Sequence, residues 1–251
     1  LPIVCRLITI RIVMAPPNNS LTSEAIAIPE YLTATYDWAY VTPEAVNRFE
    51  RQWLVNLILW GNFARLRDEA LDVLGNELGG KTLQIACVYG DLTTKLVNRH
   101  ASHGEIDVVD VLPVQTANLK DKLGKAGFAA DRVGIHLGNS AAMKFADSSY
   151  DRALLFFLLH EQPEDVRKRT LAEALRVVKP GGKLVIVDYH RPSGWHPLWL
   201  PMRGILSTLE PFALDLWRNE VVDWFPADIK PVAITKRISF GGLYQLIEVT
   251  R

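Results

Sequence analysis

Several things are scarce in this chain. It has two cysteines, Cys5 and Cys87, in 251 residues, so no disulfide framework holds it and its cysteine usage fits a reducing compartment. Neither sign of charge is in surplus, with 28 basic and 28 acidic residues. No basic field is available to follow a phosphate backbone, and no nucleic-acid partner is expected. No apolar run reaches the roughly 18–20 residues a membrane span needs. There are no internal repeats and no low-complexity tracts. What is present is a globular composition, 49% apolar and 22% charged. At this length it suits one α/β domain with an N-terminal extension.

The organisation follows from local signals. Leu1–Val13 is apolar with two arginines, and Met14-Ala15-Pro16-Pro17 reads as a start followed by a leader. Residues 1–30 are therefore expected to be a disordered leader or targeting remnant. Thr42-Pro43-Glu44 reads as a helix cap, first residue and first-turn acid. Val46, Phe49, Trp53, Leu57, Trp60 and Ala64 follow at helical spacing, with Gly61 as a break. Residues 31–75 are expected to form a helical lid, and 76–251 the main domain. In that domain strands are expected at 82–88, 105–110, 132–137, 150–157 and 183–188. Helices are expected at 91–101, 113–126 and 163–178. This alternation predicts a doubly wound, mainly parallel sheet. Gly241-Gly242 between two strand-like runs predicts a closing antiparallel hairpin.

The most informative stretch is Thr82–Thr93, TLQIACVYGDLT. It has the frame of a nucleotide-binding strand and turn with most of the glycines gone. In doubly wound sheets, ligands bind at the carboxyl ends of strands where the strand order reverses. Three such ends carry candidates: Gly90 after the first strand, Asp110 at the end of EIDVVD, and Asn139-Ser140 after the third. A carboxylate at Asp110 can accept both ribose hydroxyls, and an amide at Asn139 can bond an adenine edge. In the common S-adenosylmethionine (SAM) turn, acid-x-Gly-x-Gly-x-Gly, these slots are filled here by Gln84, Ala86, Val88 and Gly90.

These segments, together with GNSAAMKF and RVVKPGGKLVIVDYHRP, resemble the ubiquinone/menaquinone biosynthesis C-methyltransferases over roughly residues 80–192. That resemblance implies a class I SAM-methyltransferase fold, Rossmann-like, with SAM bound by Gln84, Ala86, Val88, Tyr89, Gly90, Asp110, Val111, Asn139, Ser140 and Phe156. Within that superfamily, ACVYGDLT, LLFFLLHEQPED, VDYHRP and WGNFARLRDEAL are similar to the rhodoquinone-biosynthesis family. This second resemblance implies replacement of a ring methoxy group of ubiquinone by an amino group, with SAM as amino donor and manganese(II) assisting. Conventional methyl transfer to a quinone precursor or other small apolar acceptor is the alternative. A third possibility is a decayed methyltransferase fold acting as a binding subunit.

The altered turn suits the unusual chemistry. An acid in the slot of Gln84 would pair with the methionine ammonium and hold it protonated, whereas an amide does not. Tyr89 is expected to reposition the cofactor tail or to hydrogen-bond the quinone. Tyr89, His160 and Glu161 are the expected catalytic residues. His160, Asp188 and His190 are candidate manganese ligands, although strand alternation turns Tyr189 away from the other two. The apolar, tryptophan-rich segment Trp195–Trp217 is expected to cover a hydrophobic ring and tail or to touch a membrane interface. An isoprenoid quinone comes from the bilayer. The expected location is therefore the bacterial cytoplasm at the inner membrane, or the matrix side of the mitochondrial inner membrane. Oligomeric state is left open.

Overall fold

A computed structural model of the protein describes residues 27–36 and 43–251. Most of the expected leader, including Cys5, and the Thr42 cap lie outside the described residues.

One seven-stranded sheet organises the molecule. The strands are β1 (Lys81–Ile85), β2 (Glu105–Asp110), β3 (Gly134–Leu137), β4 (Tyr150–Phe156), β5 (Val178–Tyr189), β6 (Ala233–Ser239) and β7 (Tyr244–Thr250). Their order is β3-β2-β1-β4-β5-β7-β6, with β1 to β5 parallel and β7 antiparallel to both β5 and β6. The order reverses between β1 and β4, where a doubly wound sheet opens its ligand crevice. This is the class I methyltransferase sheet with its C-terminal hairpin, as the alternating pattern predicted. The crossovers α5 (Leu92–Asn98), α6 (Pro113–Lys125) and α7 (Glu164–Val177) cover its faces. The central strands are apolar on both sides, and Leu154, Leu155, Val185 and Ile186 are wholly buried, as parallel strands between helical layers must be.

The N-terminal region is helical and breaks at Gly61, as its sequence suggested, and it breaks again ahead of Gln52. It is divided into α1 (Glu30–Thr35), α2 (Pro43–Phe49), α3 (Gln52–Ile58) and α4 (Phe63–Leu74). Trp60 and Gly61 both adopt positive φ, 52° and 76°, which stops α3 and turns the chain into α4. The break shifts the helical phase, so the apolar stripe does not bury as one face. Val46 is buried, but Trp53 and Leu57 are about 62% and 63% exposed, and α3 buries no residue fully. The last helix, α8 (Trp199–Leu209), follows β5. Pro201 lies within its first turn, where a missing N–H costs nothing. Met202 and Leu206 face inward, while Leu200, Ile205 and Leu209 are exposed.

Candidate functional site

The turn after β1 is held open by side chains from several elements. β1 ends at Ile85 because Ala86 turns to φ 74°, a conformation that costs an L-residue roughly 1–2 kcal/mol. Gly90 also needs its positive φ, and a Cβ there would fall 2.9 Å from the Phe63 ring. Gln84 is completely buried. Its Nε2 donates to the Ala86 carbonyl at 2.9 Å, and its Oε1 accepts from the Thr93 hydroxyl on α5 at 2.9 Å. Lys122 on α6 donates to the carbonyls of Val88 and Gly90 at 2.9 and 2.8 Å and pairs with Glu50 at 2.7 Å. Glu50, just after α2, accepts the Gly90 N–H at 3.1 Å and the Asn118 amide at 2.8 Å. The N-terminal helices are thus tied to the turn through one carboxylate.

Beside the turn lies a small polar cavity of about 70 Å³. Six of the expected cofactor residues line it: Ala86, Tyr89, Asp110, Val111, Asn139 and Ser140. Asp110 accepts the Cys87 N–H at 2.7 Å and the Leu112 N–H at 2.8 Å. Burial pushes its carboxyl up, and these two N–H groups draw it back. The Cys87 thiol and the Val111 N–H also approach this carboxylate, so a ligand hydroxyl would share it with donors of the turn. Tyr31 and Leu32 of α1 cover the cavity from above. Gln84, Val88, Gly90 and Phe156 do not line it: Gln84 and Gly90 shape the turn from behind, and Val88 and Phe156 face a second cavity.

That second cavity, about 470 Å³, is bounded by α3, the start of α4, the end of β4 and α8. Leu57, Trp60, Phe63, Phe156, Met202 and Leu206 form apolar walls, and the Trp60 indole N–H points at the Met202 sulfur at 3.1 Å. Its polar groups are His160, Glu161, Tyr189 and Glu210. Cys87, Tyr89, Phe157 and Glu161 line both cavities, so the two adjoin there. Tyr89 accepts the Gln115 amide at 2.8 Å and stacks on Phe49 with ring centroids 6.1 Å apart. Burial raises its phenol well above the ordinary range, so it stays protonated at neutral pH.

His160 and Glu161 sit in a short 3-10 turn, Leu159–Glu161, after β4. Asp188, completely buried in β5, accepts the Leu159 and His160 N–H groups at 2.8 and 3.3 Å, and its own neighbour Tyr189 N–H at 2.7 Å. It also meets His160 Nδ1 at 3.0 Å. Burial works against the imidazolium, but Asp188, with smaller help from Glu210 and Glu161, outweighs it and lifts the His160 pKa from 6.5 to about 9. His160 is therefore a cation at neutral pH, with Nδ1 committed to Asp188 and Nε2 3.9 Å from Glu161.

The expected manganese ligands do not assemble. Asp188 is occupied by backbone N–H groups and His160, His160 is protonated, and His190 Nδ1 meets the Gly242 carbonyl at 2.8 Å. No group of three or more His, Cys, Asp or Glu among the described residues is placed to hold a metal ion. Asp188 instead orients a histidine, the role a carboxylate plays in acid–base dyads.

Three contributors escaped sequence reading. Arg167 on α7 is wholly buried and donates to the carbonyls of Leu159, Gln162 and Phe212 at 2.9, 2.8 and 3.0 Å, with its guanidinium 4.3 Å from the Trp224 ring. It fixes the chain on both sides of His160-Glu161. Glu210, the C-cap of α8, enters the apolar cavity, and Tyr36 at the end of α1 approaches it. No motif marks any of them.

The sheet order, the crevice at its reversal and the acid at the end of β2 define a class I methyltransferase fold. More closely, the chain belongs to the ubiE/COQ5 methyltransferase family, whose pattern it matches over residues 50–198. It is 29% identical over 127 residues to the demethylmenaquinone methyltransferase of Bacillus cytotoxicus, covering 51% of this chain and 52% of that protein. It is 26% identical over 187 residues to the 2-phytyl-1,4-naphtoquinone methyltransferase of Trichormus variabilis, covering 69% and 78%. The chain spans about half the length of several curated relatives it matches. A SAM dependent methyltransferase from Aquifex aeolicus has the same fold, with a TM-score of 0.53 and 16% identity over 83% of this chain and 97% of that one. No helix among the described residues is long and apolar enough to cross a membrane.

Proposed function

We propose that this protein transfers a group from SAM to the ring of an isoprenoid quinone. The observation that carries this reading is the pair of adjoining cavities, one small and polar beside Asp110 and Asn139, the other large and apolar with His160 and Glu161 inside. Asp110 would hold the ribose and Asn139 the adenine edge, which places the methionine end by Tyr89, where the cavities adjoin. SAM supplies an electrophilic methyl group and a primary amine on its methionine arm. An apolar ring with a polyprenyl tail suits walls of Leu, Phe, Met and Trp, and the His160 cation can donate a hydrogen bond to a ring oxygen.

The group transferred is proposed to be the amino group, converting ubiquinone to rhodoquinone with loss of methoxy. The support is the turn itself. Gln84, in the acid slot, is neutral and has both ends of its amide engaged within the protein, so that slot presents no carboxylate to keep the methionine amine protonated. Ala86 and Val88 take the place of glycines that normally leave the methionine arm room. Membership of the ubiE/COQ5 family favours conventional methyl transfer as the second reading. Incubation of the protein with a methoxyquinone and SAM labelled in its amino nitrogen separates them by product mass. Labelled nitrogen in the ring with methoxy lost is the expected result; a ring that gains a methyl group and no nitrogen refutes amination.

Peripheral membrane contact belongs to the same proposal. Trp53 and Leu57 on α3 and Leu200, Ile205 and Leu209 on α8 expose apolar side chains on the two helices flanking the large cavity. Such a rim suits the interfacial region of a bilayer, the source of a polyprenyl substrate.

A further inference from the structure

The large cavity contains an acid whose position differs from that of Glu161. Glu161 stands where both cavities adjoin, on the cofactor side, whereas Glu210 lines the apolar cavity alone. The Glu210 Oε2 atom is buried with no donor in good hydrogen-bonding geometry, although the Tyr36 hydroxyl stands close enough to the carboxyl to favour its charged form. A buried carboxyl oxygen left without a donor favours the protonated form, or a ligand that completes its bonding. The groups acting on it come from three elements: the Tyr36 hydroxyl at the end of α1, His160 in the 3-10 turn and Asp188 in β5. Burial raises the carboxyl, and the His160 cation draws it partly back.

We propose that Glu210 is the acid that protonates the oxygen leaving the quinone ring, while Glu161 is the base that takes the proton from the incoming nitrogen. The proposal rests on the amination reading above. In the step, the neutral amine of SAM forms a bond to the ring carbon bearing methoxy, and that carbon's bond to the methoxy oxygen breaks. The bonding pair leaves with the oxygen, which takes the Glu210 proton and departs as methanol. The proton now in excess on nitrogen passes to the Glu161 carboxylate. No electron is gained or lost in this step, which leaves the ring joined through nitrogen to the α-carbon of the methionine arm; cleavage of that N–C bond, which frees the aminoquinone, is a separate later step, and proton exchange with solvent restores both carboxyl groups. Methyl transfer to a ring carbon, by contrast, expels no oxygen and releases one proton, so it needs a base and has no use for the acid. Two carboxyl groups in different parts of one site suit a substitution with both an entering and a leaving group.

The full chain carrying Glu210→Gln tests this. Glutamine keeps the shape but has no acidic proton to give. Expected are a fall in kcat of about 100-fold or more, within the ordinary range for general acid catalysis, and loss of the alkaline limb of the kcat profile. The melting shift given by SAM and the quenching of tryptophan fluorescence by quinone, with Trp60 in the cavity wall, are expected to stay unchanged. A quinone bearing chloride in place of methoxy releases a group that needs no proton, and it is expected to restore most of the variant's rate. Glu210→Asp is expected to retain part of the activity. Undiminished turnover of the methoxyquinone by Glu210→Gln, or equal loss on the chloroquinone, overturns the role of Glu210 while leaving amination standing. A wild-type product without labelled nitrogen overturns amination, and this proposal with it.

Discussion

Replacing Asp188 by asparagine probes the dyad on which the site turns. In the native protein His160 is held charged against its burial by the adjacent carboxylate, with its pKa raised from 6.5 to about 9. At about 1.4 kcal/mol per pH unit this corresponds to on the order of 3 kcal/mol of folding stability. Because the folded-state pKa lies above the unfolded one, that contribution is fully present below pH 6.5 and disappears as pH rises through 9. Urea unfolding of the native protein is therefore expected to show stability declining across that window. In Asp188→Asn the imidazole keeps its burial and loses its partner, so its pKa drops below 6.5. The slope then reverses in its range: this histidine costs stability as pH falls through 6.5, and contributes none of the decline between 6.5 and 9. Asparagine with its carbonyl in the Oδ2 position still accepts the Leu159 and His160 N–H groups that hold the turn, and gives up the Tyr189 N–H. NMR titration of the His160 ring in both proteins reads the same quantity directly. A native His160 titrating near 6.5, or the same pH dependence of stability in both proteins, refutes the dyad.

Further outcomes follow from other features of the site. Ala86→Gly is expected to raise stability by up to about 1 kcal/mol, since relief of positive φ is partly offset by glycine's unfolded-state entropy, and to strengthen SAM binding by removing a methyl group from the cavity; thermal melts with and without SAM read both. Gln84→Glu replaces the donor to the Ala86 carbonyl with an acceptor, so a loss of about 1–3 kcal/mol in chemical unfolding is expected, together with a fall in ring amination that exceeds any fall in SAM affinity; unchanged turnover would remove the role given to the amide. Arg167→Met leaves three buried carbonyls without their donor and is expected to cost about 3 kcal/mol or more, which the midpoint of a urea melt measures. Trp53→Ser combined with Leu200→Ser is expected to lower binding to lipid vesicles at least severalfold in a flotation assay, with turnover of a short-tailed quinone little changed; undiminished flotation would dismiss the apolar rim as a membrane contact.

The sheet was legible because its signals are local. Alternating apolar runs and the hairpin glycines each mark an element by short-range chemistry, whereas Lys179-Pro180-Gly181-Gly182, which reads as a turn, is taken into the start of β5. Asp110, Asn139 and Ser140 were legible too, because strand ends in a doubly wound sheet converge on one crevice. What stayed hidden depends on side-chain direction over long separations. The helical spacing and the Gly61 break were both legible, but not that Trp53 and Leu57 on α3 would stay exposed. His160, Asp188 and His190 share ligand chemistry and neighbouring strand ends, but Asp188 turned inward to the 159–160 backbone and His190 to the hairpin. Gln84 occupies the anticipated slot, and its amide is spent on the turn rather than on the cavity. Glu50, Lys122, Glu210 and Arg167 carry no motif, since their roles exist only once distant segments meet.

One guanidinium sets the width of the reaction chamber. Arg167 grips Leu159 and Gln162, which flank the histidine and the junction carboxylate, and with the same group it grips Phe212, two residues beyond Glu210. The two acidic walls are thereby hung from a single planar cation on α7, itself pressed against Trp224. Any slackening of that aromatic contact would be felt as a change in the separation of the Glu161 and Glu210 segments, so substitutions around Trp224 are expected to alter the large cavity without touching its lining.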